Sequence, residues 1–147
     1  MRVLFMRTGL SMLMAVCSSL SCWGQKVEIQ IQGIRSAKGQ LIVAVFTDEE
    51  NFRHDQPVQR KRYDKKKLSE GKIELELELP SGTYGIAVLD DENMDDDITS
   101  NRIGYPVEGF GFSGYFHSSL RRPAFKDFSF TLAEDQERMV DVKIKYM

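Results

Sequence analysis

Oxygen-bearing side chains stand at alternate positions along one short stretch of this chain: Asp91, Asn93, Asp95, Asp97 and Thr99. A loop that offers an oxygen at every second residue can curl around a cation with successive side chains pointing inward. Calcium takes six to eight oxygen ligands at about 2.3 to 2.6 Å and is the ion this spacing suits; magnesium demands stricter octahedral geometry and keeps its water. Counted from Asp91, the first, third and fifth places are side-chain donors. The seventh, Asp97, can give its backbone carbonyl, and the ninth, Thr99, can act directly or through water.

Two positions depart from an EF-hand loop. Asp96 stands where a glycine makes the sharp turn, and a positive φ there strains an aspartate by something on the order of 1 kcal/mol. Arg102 stands where the last, bidentate carboxylate would be, so Asp90 or Glu108 is the nearest carboxylate in sequence to complete a shell. Ile98 would anchor the loop to the core. Without a cation Asp90, Asp91, Glu92, Asp95, Asp96 and Asp97 repel one another, although solvation and salt moderate this. The ion-free alternative is a solvated hairpin connection, because Asp and Asn cap their own turns.

A Gly-rich aromatic run follows: Phe110, Phe112, Tyr115 and Phe116, interleaved with Gly109, Gly111 and Gly114. It can present ring faces to a sugar or a peptide, or Phe112 and Phe116 can turn inward and cover one end of the fold. The histidines, His54 and His117, are far apart in sequence and read as surface residues. Nucleophile elbows, metalloprotease helices and phosphate-cradling loops are all missing. A carboxylate pair such as Glu108 with Asp91 is the only hydrolase-like option. The balance indicates a non-enzymatic protein.

These groups must be positioned by strands. Val27, Ile29 and Ile31 alternate with Glu28, Gln30 and Gln32, and Lys72 to Leu79 (KIELELEL) alternates still more cleanly. Gln40 to Thr47 is almost continuously apolar and fits a central strand. Asp48 can cap a helical turn that plugs Phe52 into the core. The polar 54–67 stretch carries at most a short edge strand around Val58 to Tyr63, with low order expected, and its basic run, Lys61, Arg62, Lys65, Lys66 and Lys67, reads as a solvated edge. Tyr84 to Leu89 leads into the acidic loop, Phe128 to Leu132 alternates, and Met139 to Met147 closes the chain. Short strands with turns between them indicate an all-β fold, an antiparallel, Ig-like β-sandwich of about seven strands.

The first 24 residues differ from the rest. Arg2 and Arg7 precede an apolar run, Gly9 to Val16, and small or polar residues continue to Gly24, the order of a secretory signal peptide. The run is shorter than the ~20 residues of a spanning helix. Cleavage after Gly24 leaves a single 25–147 domain, periplasmic or secreted, with no transmembrane segment; lipid anchoring at Cys22 is the rival. Cys17 and Cys22 both lie in the leader, so the mature domain has neither disulfides nor thiolate zinc sites. Removing Arg2 and Arg7 leaves 18 of the 20 basic residues against 22 acidic ones, a net charge of −4, which disfavours a nucleic-acid partner.

Leu79-Pro80-Ser81-Gly82-Thr83-Tyr84, then Asp91-Glu92-Asn93, Ile98 and Asn101, then Gly104-Tyr105-Pro106-Val107-Glu108-Gly109-Phe110-Gly111-Phe112-Ser113 together resemble the DUF2141 family of uncharacterised exported bacterial proteins. The Lys38-Gly39 turn and the Phe128 to Leu132 strand fit as well, so the resemblance spans the mature domain. It implies export, a transthyretin-like β-sandwich and non-enzymatic use. The leader and the oxygen-rich loop, taken together, indicate an exported, calcium-stabilised module that contacts an unknown protein or glycan. Family loops usually read D-E-N-G-N-G-K-L-D-T-N. This chain has Met94, Asp96 and Thr99 in place of Gly, Gly and Asp.

Overall fold

The computed structural model describes residues 24–97, 107–116, 118 and 121–147. The leader up to residue 23 with Cys17 and Cys22, the loop residues Ile98, Thr99, Asn101 and Arg102, the Gly104-Tyr105-Pro106 part of the motif and His117 lie outside the described residues. The chain forms β1 (Gln25–Gln32), β2 (Gln40–Phe46), α1 (Glu49–Arg53), β3 (Gln59–Asp64), β4 (Lys72–Leu79), β5 (Gly82–Asp91), β6 (Gly109–Phe112), α2 (Phe125–Phe128), β7 (Ser129–Leu132) and β8 (Arg138–Lys143). Among the described residues no helix is long and apolar enough to cross a membrane.

The all-β sandwich expected from the alternation is present, with eight strands among the described residues where about seven were expected. A three-stranded sheet has the order β4-β1-β8 and a five-stranded sheet the order β3-β2-β5-β6, with β7 also on β5. All pairings are antiparallel except β1 with β8, which is parallel. The 10-residue β5 is the longest strand among the described residues. Its one side pairs with β2, and its other side pairs with β7 along Gly82–Gly85 and then with β6 along Ala87–Asp90.

Period-two alternation sends Val27, Ile29 and Ile31 of β1 and Ile73, Leu75, Leu77 and Leu79 of β4 between the sheets, against Leu41, Val43 and Val45 of β2 and Ile86 and Val88 of β5. Truncating a fully buried residue such as Leu77 to Ala removes about 2–5 kcal/mol. The other face of the five-stranded sheet is covered too. Ala44, Phe46, Phe52, Phe112 and Phe128 form a second apolar cluster there. Two covered faces explain why β2 is apolar at nearly every position.

Phe52 reaches that cluster from α1, whose start is fixed by Asp48: its Oδ1 accepts from the Asn51 amide at 2.8 Å. The Phe52 ring meets Phe46, Phe112 and Phe128 edge-on at 5.3, 5.9 and 4.7 Å. The 54–67 stretch is better built than the low order expected of it, because all six residues of β3 pair with β2.

The two sides of the sandwich are closed differently. Phe110 and Lys145 exchange backbone hydrogen bonds of 3.0 and 2.8 Å, and the Gly114 amide donates to Asp141, so β6 joins the segment after β8. Gly109 and Gly111 permit this approach: a Cβ would lie 2.4 Å from the Tyr146 ring at the first and 2.6 Å from the Lys143 carbonyl at the second. On the opposite side β3 and β4 are linked by the Tyr63 hydroxyl, which donates to the Glu76 carbonyl at 3.2 Å.

Candidate metal centre

β5 ends in two aspartates, and alternation sends them to opposite faces. Asp90 follows the parity of Ile86 and Val88 and points between the sheets, whereas Asp91 emerges on the other face. Both are 0% exposed. The register of β5 with β6 pairs Asp90 with Gly109, and extending it by one residue sets Glu108 beside Asp91. Glu108 is 3% exposed.

The loop then turns back over Asp91. Its Oδ1 accepts from the Asp95 amide at 3.2 Å, and its Oδ2 accepts from the Asp96 amide at 3.1 Å and from Gln40 Nε2 at 2.8 Å. Asn93 joins in through its carbonyl, which accepts from the Asp95 amide at 3.1 Å, and its Nδ2, which donates to Asp95 Oδ2 at 2.8 Å. The Asp97 amide donates to Asp95 Oδ1 at 3.0 Å. Glu108 Oε1 accepts from the Glu92 amide at 3.1 Å. One carboxylate oxygen from each of Asp91, Asp95 and Glu108 lies within 4.8 Å of the others. Carboxylates so close, two of them buried, repel one another.

Of the residues expected from spacing, Asp91 and Asp95 enter this convergence. Asn93 supports Asp95 through its amide, Asp97 supports it through its backbone, and Thr99 lies outside the described residues. Of the two carboxylates suggested for completing a shell, the structure brings Glu108 to the site and turns Asp90 away. The turn that glycine normally makes is present without it: Met94 and Asp96 have φ of 61° and 64°, the two places where the family pattern has Gly.

Asp90, Glu92 and Asp96 are each held by a base from elsewhere in the chain. Asp90 pairs with the buried Lys65 ammonium and accepts from the Tyr146 hydroxyl. That hydroxyl also accepts from the Arg35 amide at 3.1 Å. Burial, and then the Asp90 carboxylate, push the Tyr146 pKa upward. Glu92 accepts from Arg35 Nε at 3.2 Å and from Ser36 Oγ at 2.7 Å. The Arg35 guanidinium, foremost, holds the Glu92 carboxyl down to about 2 against an opposing desolvation. Asp96 is gripped by Arg62 on β3, Nε to Oδ1 at 2.6 Å and Nη2 to Oδ2 at 2.8 Å, which lowers its pKa.

Lys65 is the residue that reading the sequence missed. The solvated-edge reading of the basic run does not hold for it, because Lys65 is 4% exposed, pairs with Asp90 and donates to the Ser36 and Lys38 carbonyls. A signal was available in its parity with the half-buried Tyr63, two residues earlier on the strand. The turn that Lys65 holds is pressed on the acidic segment: Gly39, at φ +71°, leaves only 2.0 Å between an added Cβ and the Asp91 carbonyl. Beside it a groove of about 620 Å³ runs between Arg35, Ser36 and Lys38 on one side and Glu92, Asn93, Val107 and Glu108 on the other.

The aromatic run does not present one face. Phe112 is buried in the second cluster, Phe110 and Tyr115 pack against it half-buried, and Phe116 is 53% exposed beneath Lys143 Nζ at 4.6 Å. Phe112 therefore turns inward as expected, but onto the outer face of the five-stranded sheet and not over an end of the fold, and Phe116 does not turn inward. His54 is exposed at the end of α1, remote in sequence from the acidic loop.

No curated protein and no solved structure matches this chain. Residues 29–140 match the family model described as an uncharacterized protein conserved in bacteria. That span runs from the middle of β1 to the middle of β8 and includes the acidic segment, the aromatic cover and every strand between them, so the chain belongs to the DUF2141 family.

Proposed function

We propose that this protein is an exported, non-enzymatic β-sandwich module that takes up one calcium ion through Asp91, Asp95 and Glu108 and contacts a protein or glycan outside the cytoplasm. The observation that carries the reading is the approach of those three carboxylates to within 4.8 Å, with Asp91 at the end of β5 and Glu108 immediately before its partner β6. All three donors are oxygens, which suits a hard cation, and a shell completed by loop oxygens suits the variable coordination of calcium better than magnesium's octahedron. Asn93 and the Asp97 backbone carbonyl lie on the same loop and can add neutral oxygens. The export part of the reading rests on the charged and apolar order of residues 1–24.

The test is thermal unfolding of the mature domain with calcium and with chelator. An ion bound only by the folded state stabilises it by RT ln(1 + [L]/Kd), about 2.7 kcal/mol at 100 times Kd, and raises the midpoint of a domain this size by roughly 10 °C. Equal midpoints in calcium and chelator would remove the ion from the account.

A further inference from the structure

We propose that Arg62, on the edge strand β3, sets the affinity of the calcium centre by holding a fourth carboxylate, that of Asp96, out of the coordination shell. The inference rests on the calcium reading above. It concerns a residue that lies in another strand, β3.

Asp96 sits beside the centre by backbone and away from it by side chain. Its amide donates to Asp91 Oδ2 at 3.1 Å, and one amide nitrogen, Gln40 Nε2, lies within hydrogen-bond distance of both carboxylates, 2.8 Å from Asp91 Oδ2 and 3.0 Å from Asp96 Oδ1. The Asp96 oxygens are therefore close neighbours of a ligand. They are turned toward β3 by the Arg62 fork, with both nitrogens in short contact. The left-handed backbone at Asp96 persists against its intrinsic strain, and the fork is an interaction available to hold it there.

Two consequences for a cation follow. Calcium affinity rises with the number of carboxylates in the shell, and Arg62 withdraws one. A guanidinium close to the site also repels the ion, an effect that salt screens because Arg62 is half exposed. Both act in one direction, toward weak binding of the kind used outside cells, where free calcium is high.

Calcium titration of wild type, Arg62→Gln, Arg62→Lys and Asp96→Asn by calorimetry at two salt concentrations tests this. Arg62 is exposed, so its variants are expected to fold; circular dichroism and the melting point in chelator check that. Arg62→Gln is expected to bind calcium about tenfold more tightly than wild type, with a smaller dependence on salt. Arg62→Lys, which keeps the charge but loses the fork, should fall between the two. Asp96→Asn, which leaves Arg62 unpaired beside the site, should bind more weakly than wild type. A purely structural role for Arg62 predicts a lower melting point in chelator with unchanged or weaker binding, and that result in Arg62→Gln overturns the inference. Calcium binding by neither wild type nor Arg62→Gln removes the calcium reading and this inference together. Calcium binding by wild type that Arg62→Gln does not strengthen removes the role of Arg62 alone.

Discussion

Asp90 and Asp91 are consecutive, identical in type and equally buried, yet they sit in opposite electrostatic regions of the molecule. On the inner face, Asp90 meets a resident ammonium and a tyrosine hydroxyl. On the outer face, Asp91 meets backbone and side-chain amides, and two further carboxylates converge on it. In the inner region an ammonium meets the buried acid directly; in the outer region three carboxylates approach within 4.8 Å of one another, and Arg62 grips their neighbour Asp96. The difference shows that a buried acid is no evidence for a metal by itself. What distinguishes the outer region is that strand register and loop closure bring more acids to the same place.

The sharpest way to break the comparison is to make the inner region resemble the outer one. Lys65→Met leaves a fully buried carboxylate without its cation and should destabilise the fold by about 3–5 kcal/mol in urea titrations, with calcium giving no rescue at that site. Adding Asp90→Asn should recover much of the loss, since the charge is then gone while the Tyr146 hydrogen bond can persist. Chelator and calcium curves shifted equally by Lys65→Met would confirm that the two regions are independent.

A smaller effect, opposite in sign, is expected on the outer face. Glu108→Gln removes one of three mutually repelling charges, so the protein in chelator should melt at or slightly above the wild-type temperature. The same variant should lose most of the calcium-induced rise. A variant that melts lower in chelator and keeps the full calcium response would mean that Glu108 serves the fold and not the ion.

The smallest effect is a pH dependence confined to the inner region. The folded-state pKa of Tyr146 lies above its ordinary value of 10.0, so its contribution to stability is complete below about pH 10 and is lost as pH rises further. Denaturation midpoints of wild type should therefore fall more steeply above pH 10 than those of Tyr146→Phe. Parallel profiles would show that the hydroxyl does not couple to Asp90.

Strand alternation was readable because side chains of one strand answer to a period of two, and Lys72 to Leu79 obeys it without exception. Asp91 and Asp95 were readable for a similar reason, since ligand spacing is local. Glu108 was harder to assign because its arrival depends on the β5–β6 register, which brings together residues separated by 17 positions. Asp90, its equal in sequence reasoning, was excluded only by parity with Val88. Lys65 and Arg62 looked alike as members of one basic run. Their fates differ because Lys65 has the inward parity of Tyr63 and Arg62 the opposite one, so the first neutralises a buried acid and the second reaches over the surface to Asp96. The aromatic run was partly readable: Phe112 fills a cluster supplied by Phe46, Phe52 and Phe128 from three other elements, which no local pattern reveals.

The parallel pairing of β1 with β8 bears on how the molecule would answer to pulling. Because the two strands point the same way, tension applied through the segment before β1 and the segment after β8 draws them in opposite directions along their common axis. All six register pairs from Val27 with Arg138 to Gln32 with Lys143 are then loaded in shear at once, where an antiparallel pair gripped at one end would unzip a bond at a time. A module tethered at one end and bound at the other would resist along its strongest direction.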